Sequence, residues 1–172
     1  RLAKFYFERF QICKAVFTEK YDRNLLNGFR RFLATGHLEL ITCCATHGFL
    51  PLMVEQAPEA ARVQIEQGAR EHQRHFGMRP QGIWLAECGY APGVEQLLQE
   101  AGIRYFFVDT HGVLFSTPRP RHGIFAPILC PGTRVAAIAR DTESSKQVWS
   151  SIEGDPGDPV HGEIDRDVGF DP

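Results

Sequence analysis

Gly82-Ile83-Trp84-Leu85-Ala86-Glu87-Cys88-Gly89-Tyr90, with Pro92-Gly93-Val94 close behind, carries a buried apolar strand into a helix and holds its only acid at the turn. Gly82 to Leu85 reads as the strand. Pro92 and Gly93 open a helix with Val94, Leu97, Leu98 and Ala101 on one face. Glu87 therefore belongs to a strand-to-helix loop at the strand's carboxyl end. In barrels and open α/β sheets that edge carries the active site, because its loops converge on one cavity while the strands hold them rigid.

The same unit recurs on either side. Upstream, Leu38 to Ala45 reads as a strand and Thr46-His47-Gly48-Phe49-Leu50-Pro51 as its loop. A helix from about Glu59 follows, with Ala61, Ile65, Ala69, His72 and Phe76 on one side and a stop near Gly77. Downstream, Arg104 to Val108 is a third strand, ending in Asp109-Thr110-His111-Gly112. Such alternation predicts an α/β fold with parallel strands joined by right-handed crossovers. Ile124 to Cys130 and Val135 to Ala139 look like two further strands. Near the start, Phe5, Tyr6, Phe10, Cys13 and Phe17 recur at helical spacing, as do Leu25, Leu26, Phe29, Phe32 and Leu33 before Gly36, and both stripes are expected to be core. From about Glu143 onward, Gly, Pro and Asp predict a long irregular loop, of the kind that serves as a lid or binding segment.

Composition sets the outer bounds. With 172 residues, 43% of them hydrophobic, the chain can bury one core, and a formal net charge of −2 gives no reason to expect nucleic acid or an anionic membrane as partner. No stretch approaches the roughly 20 apolar residues of a membrane span, and Arg1-Leu2-Ala3-Lys4-Phe5 lacks the pattern of a secretory signal. Cys13, Cys43, Cys44, Cys88 and Cys130 share no repeated short spacing, so they read as reduced thiols, small and buried, in a cytoplasmic protein. A start at Arg1 and a stop at Phe170-Asp171-Pro172 suggest a fragment.

Three strand ends project polar groups to one side: His47, Glu87, and Asp109 with His111. Each has a bland alternative. An acid after a strand is commonly a helix cap or a surface charge, and a single histidine is commonly a hydrogen-bonded structural one. Trp84 and Tyr90 flank Glu87, and an acid hemmed in by such rings is expected to be partly desolvated, with aromatic faces ready to stack on sugars. His72 and His75, at i, i+3 spacing among Glu71, Gln73 and Arg74, read as a solvated helix face. His47, Asp109 and His111 have a composition that could hold a divalent metal. The competing arrangement is carbohydrate chemistry, with Glu87 attacking an anomeric carbon and a second carboxylic acid protonating the leaving oxygen.

Ala45-Thr46-His47-Gly48-Phe49-Leu50-Pro51-Leu52, the Gly82–Tyr90 segment, and Tyr105-Phe106-Phe107-Val108-Asp109-Thr110-His111-Gly112 resemble glycoside hydrolase family 57 in order and spacing. The resemblance continues through Ala139-Arg140-Asp141, Glu143-Ser144-Ser145-Lys146-Gln147-Val148-Trp149 and Gly157-Asp158-Pro159 to Arg166-Asp167 and Gly169-Phe170-Asp171, and is strongest to the family's 1,4-α-glucan branching enzymes. It implies a portion of an incomplete seven-stranded (β/α) barrel, spanning residues 1–172 as the central part of one catalytic domain. It also implies a retaining α-glucan transglycosylase acting on amylose or glycogen, with no metal or other cofactor. Glu87 matches the family's nucleophile, His47 the histidine of the preceding motif, and Trp84 the tryptophan on the substrate side. Tyr90, Asp109 and His111 are then expected to contact substrate.

The family's opening His-x-His motif and its later aspartate, the general acid and base, have no match in these residues. Both are expected outside the chain. Ile152 and Asp155 stand where the family would place Glu and Tyr. Rival classes are a metal-dependent polysaccharide deacetylase using His47, Asp109 and His111, and a glucan-binding domain without turnover. Within the family, an α-amylase or a 4-α-glucanotransferase is the nearest alternative.

Overall fold

The computed structural model describes residues 2–150, 152, 154 and 155. It divides into two compact units, one formed by residues through Glu39 together with those from Thr142 onward, the other by Leu40–Asp141.

The Leu40–Asp141 unit is an α/β sheet. Its strands are β1 (Thr42–Cys43), β2 (Gly82–Trp84), β3 (Tyr105–Val108), β4 (Ile128–Leu129) and β5 (Ala136–Ala139), in the order β1-β2-β3-β5-β4. The first three and β5 run parallel. That is the class expected, part of a (β/α) barrel, with one correction: β4 pairs antiparallel with β5. Cys130 N–H donates to the Val135 carbonyl and Thr133 N–H to that of Cys130, closing a hairpin turn over Gly132 at φ 72°. The two outer strands are also shorter than expected. A turn in which Phe125 N–H donates to the His122 carbonyl takes up the start of β4, and β1 has a partner on one edge only.

Helices α3 (Leu50–Gln56) and α4 (Pro58–Phe76) link β1 to β2, α5 (Val94–Glu100) links β2 to β3, and α6 (Thr110–Leu114) follows β3. Pro58 starts α4 in its first turn, where a missing N–H costs nothing, and Gly77 ends it at φ 78°. Helix α3 starts within the loop expected over residues 46–51 and had no expectation of its own beyond Pro51. Pro51, in its first turn, is the starting signal. Ile83, Phe106 and Val108 on one sheet face pack with Leu50, Ile65, Val94 and Leu98 from the helices, all buried. Gly68 lets α4 lie on β1, since a Cβ there would stand 2.2 Å from the Cys43 carbonyl oxygen. Arg79 staples the helices together, donating to Glu66 of α4 at 2.8 Å and to the Ala101 carbonyl beyond α5 at 3.0 Å. That guanidinium, by its hydrogen bond first, holds the Glu66 carboxyl below the usual range.

His72 lies on the buried stripe of α4, not on a solvated face. Its ring nitrogens are 3.0 Å from the Met78 carbonyl oxygen and 3.1 Å from that of Leu40, and Phe76 packs against the ring. The apolar positions around it outrank its polar sequence neighbours. His75 is half-buried beside Glu71 and Arg74. The thiols divide too: Cys44 and Cys130 are buried, Cys88 is half-buried, and Cys13 and Cys43 are exposed, all of them free.

The other unit contains α1 (Leu2–Ala15), a π-helical turn over Val16–Lys20, α2 (Leu26–Ala34) and α7 (Thr142–Trp149). Both N-terminal stripes form helix, but their aromatic side chains are not core. Phe10 is 66% exposed and Phe32 52%. Helical periodicity produces an apolar face but does not by itself bury it; Leu26 and Leu33 are half-buried. Helix α7 likewise replaces the start of the loop expected from Glu143. The remainder of that loop, with Gly157-Asp158-Pro159, Arg166-Asp167 and Gly169-Phe170-Asp171, lies outside the described residues.

Candidate active site

The sheet brings His47 and Glu87 together. Each follows a parallel strand, β1 and β2, and each sits on left-handed backbone, φ 57° for His47 and 52° for Glu87, with Cys88 at 54°. For a residue with a Cβ that conformation costs about 1 to 2 kcal/mol and persists only where the surroundings enforce it. The enforcement is visible. Cys88 N–H donates to the Leu85 carbonyl and Gly89 N–H to that of Ala86, winding one tight turn. Phe49 lies over Gly89 so closely that a Cβ would stand 2.3 Å from its ring.

The result is an imidazole Nε2 3.7 Å from a carboxylate oxygen, within electrostatic reach and too far for a hydrogen bond. Contrary to expectation, Glu87 is not hemmed in: its side chain is 82% exposed. The left-handed turn swings it off the strand and away from the apolar face. Trp84 is half-buried 6.0 Å from Phe107, on the opposite sheet face to Ile83 and Phe106, where the Tyr105 ring covers Gly82.

Asp109 and His111 follow β3. Asp109 Oδ2 is 4.0 Å from His111 Nδ1, and its Oδ1 is 3.7 Å from Arg140. Arg140 follows β5, its N–H bonded to the Val108 carbonyl, while Thr110 donates to the Arg140 carbonyl at 2.6 Å. Glu87, Asp109 and His111 line one cleft of about 430 Å³, floored by Phe106, Val108 and Val113. His47, Asp109 and His111 are not gathered as a metal triad: among the described residues no three His, Cys, Asp or Glu side chains come within reach of one ion.

Two residues of this region were given no role by the sequence reasoning. Arg140 entered it only within the Ala139-Arg140-Asp141 stretch of the resemblance. Glu95, in the first turn of α5, looks like an ordinary helix-start acid, yet it is 5% exposed, and its Oε2 accepts from both the Tyr90 hydroxyl and the Gly93 N–H at 3.0 Å. Tyr90 stacks on Phe106 with ring centroids 5.3 Å apart. Burial, and then the hydrogen bond to Glu95, push its phenol well above the usual range.

A strand-end carboxylate faced by an imidazole, on a mostly parallel sheet, makes this an α/β fold with its candidate site at the carboxyl edge. Residues 4–149 match the family model described as Glycosyl hydrolase family 57, and the chain belongs to that family of glycosidases and transglycosylases. It is 35% identical to a 1,4-alpha-glucan branching enzyme of Thermococcus kodakarensis, over 78% of this chain and 23% of that protein. Among solved structures, the alpha-amylase AmyC from Thermotoga maritima matches with a TM-score of 0.84 and 48% identity, over 98% of this chain and 32% of that one. The branching enzyme from Pyrococcus horikoshii matches with a TM-score of 0.73 and 35% identity, over 83% and 28%. The chain thus spans less than a quarter of the length of the branching enzyme from Thermococcus kodakarensis, 23%.

Proposed function

We propose that Glu87 is the nucleophile of a retaining α-glucan transglycosylase with 1,4-α-glucan branching activity. The observation that carries the reading is the His47–Glu87 pair, 3.7 Å apart at adjacent strand ends on left-handed backbone. A Glu87 oxygen bonds to the anomeric carbon as the glycosidic C–O bond breaks, and the leaving oxygen takes a proton from a second carboxylic acid. Retention sets that acid about 5 to 5.5 Å from Glu87. A glucan 6-hydroxyl then displaces Glu87, returning its proton to the acid and leaving an α-1,6 linkage.

His47 donates a hydrogen bond to a sugar hydroxyl or to the developing charge. Asp109 and His111 contact the sugar from the cleft, as does the face of Tyr90 turned away from Phe106, and Trp84 contacts the glucan from the other sheet face. The substrate is an α-glucan such as amylose or glycogen, handled in the cytoplasm during synthesis of a branched glucan. A second reading, α-amylase, is favoured by the 48% identity to AmyC. It differs only in the acceptor, water in place of a sugar hydroxyl.

The test uses the product of the whole open reading frame that encodes these residues, incubated with amylose. New α-1,6 signals in the proton spectrum without matching growth in reducing ends support branching. Reducing ends alone support the amylase, redistributed α-1,4 chains a 4-α-glucanotransferase. No product with retained glucan binding supports a binding domain.

A further inference from the structure

Glu95 is the only buried acid among the described residues. A carboxylate in that position must be satisfied by hydrogen bonds or it destabilises the fold. Its two donors stand in the segment that joins the Glu87 turn to α5: the Tyr90 hydroxyl three residues after Glu87, and the Gly93 N–H where α5 begins. The Tyr90 ring is in turn stacked on Phe106 of β3, with an interplanar angle of 18°. The segment from Glu87 to Gly93 is thus fixed to the neighbouring strand through a ring and to its own following helix through an acid. Gly93, at φ 104°, gives the chain the bend that returns it to Glu95.

We propose that Glu95 is a positioning residue for Glu87: by holding Tyr90 and Gly93 it locks the left-handed turn that sets Glu87 opposite His47. The inference rests on the reading of Glu87 as a glycosyl nucleophile. A helix cap would explain the Gly93 bond alone. It does not explain why the acid is buried or why it also takes the Tyr90 hydroxyl. Strained backbone at a reacting residue persists only when its surroundings over-determine it, and Glu95 is the group whose contacts reach both the core and the turn.

Both donors meet the same oxygen, so a glutamine at 95 can accept both, and an alanine neither. In the whole open reading frame product, Glu95→Ala is expected to lower kcat on amylose about a hundredfold while KM moves less than about threefold, and Glu95→Gln to stay within about tenfold of wild type. Tyr90→Phe should cost about tenfold, and adding it to Glu95→Ala should cost little more, because the two share one interaction. A second readout needs no turnover. Cys88, half-buried inside the turn, should be alkylated faster at pH 8 in Glu95→Ala and Tyr90→Phe than in wild type or Glu95→Gln, scored by peptide mass. Cys44 is the internal control, since burial pushes its thiol up to about 11 and keeps it protonated.

Faster labelling of Cys88 in Glu95→Ala, together with a wild-type product that turns over no glucan, would sink the glycosyl reading and keep Glu95 as the lock of the turn. Labelling and kcat both unchanged in Glu95→Ala would overturn the proposal. So would a fall in thermal stability with kcat untouched, the signature of a cap alone. Should Glu95→Ala fail to fold, Tyr90→Phe decides between the same outcomes.

Discussion

At the end of β2, Glu87 sits on left-handed backbone with an imidazole from the neighbouring strand end 3.7 Å away; at the end of β3, Asp109 sits on extended backbone, φ −68° and ψ 155°, between His111 and Arg140. Both acids follow a parallel strand and both line the same cleft. They differ in what their positions cost. Extended backbone before a short helix suits any residue with a Cβ, so Asp109 needs no special support. The turn at Glu87 is unfavourable for glutamate and is enforced by Phe49, Tyr90 and Glu95. That contrast in backbone cost supports the proposal that Glu87 takes the bond-forming step and Asp109 a substrate contact.

The strongest way to break this contrast is Glu87→Gln in the whole open reading frame product. The amide keeps the shape and loses the attacking charge, so turnover should fall at least about 10³-fold while amylose binding by affinity electrophoresis stays near wild type. Activity within about tenfold of wild type would remove Glu87 from the chemistry.

Next in size is an effect on the strand that carries His47. His72 meets the carbonyl of Leu40 on one side and that of Met78 on the other. His72→Ala leaves both without this partner and opens a gap beside Phe76. It should destabilise by about 2 to 4 kcal/mol in a urea titration, against about 0.5 kcal/mol or less for His75→Ala on the same helix. Equal losses would mean that the burial contrast between the two histidines does not govern stability.

His47→Asn is a smaller step that sharpens the comparison directly. Asparagine tolerates left-handed backbone, so the turn survives and only the imidazole is lost. Turnover should drop about 10- to 100-fold, the range for one hydrogen-bond donor to developing charge, with the melting temperature unchanged. A wild-type rate would leave the 3.7 Å pair without a role.

How much of this was legible in the sequence depends on the kind of signal. Strand and helix alternation from Leu40 to Asp141 was, because the apolar period, the stop at Gly77 and the helix start at Pro92-Gly93 agree along the chain. The strand ends that meet at the cleft followed from it. The direction of β4 was missed although Pro131-Gly132 is a turn dipeptide between two strands, a hairpin signal that the strand–helix rhythm overrode. Phe5, Phe10, Phe29 and Phe32 read as core because periodicity reports a helix with an apolar face, whereas burial depends on what covers that face. The exposure of Glu87 was illegible for another reason. Glutamate does not advertise positive φ, and one left-handed residue redirects its side chain away from the rings beside it in sequence. Glu95 was hidden by its ordinary place in a first helical turn, since only the fold shows that Tyr90 returns to meet it.

The smallest effect expected is at Asp109. Its carboxylate has Arg140 on one side at 3.7 Å and His111 on the other at 4.0 Å, and Asp109→Asn keeps the size and one acceptor oxygen while removing the charge. A sugar hydroxyl can still be held, so kcat/KM should fall by less than about tenfold, with the change mainly in KM, as when binding common to ground and transition states is lost. A loss of about 10³-fold, all of it in kcat, would reverse the contrast between the two strand ends. Asp109 would then be doing the work of an acid for the leaving oxygen, and the pair to explain would be Glu87 with Asp109 across the cleft, not Glu87 with His47. Branch formation by residues 1–172 expressed alone would say the same, because every group needed for protonation would then lie within this chain.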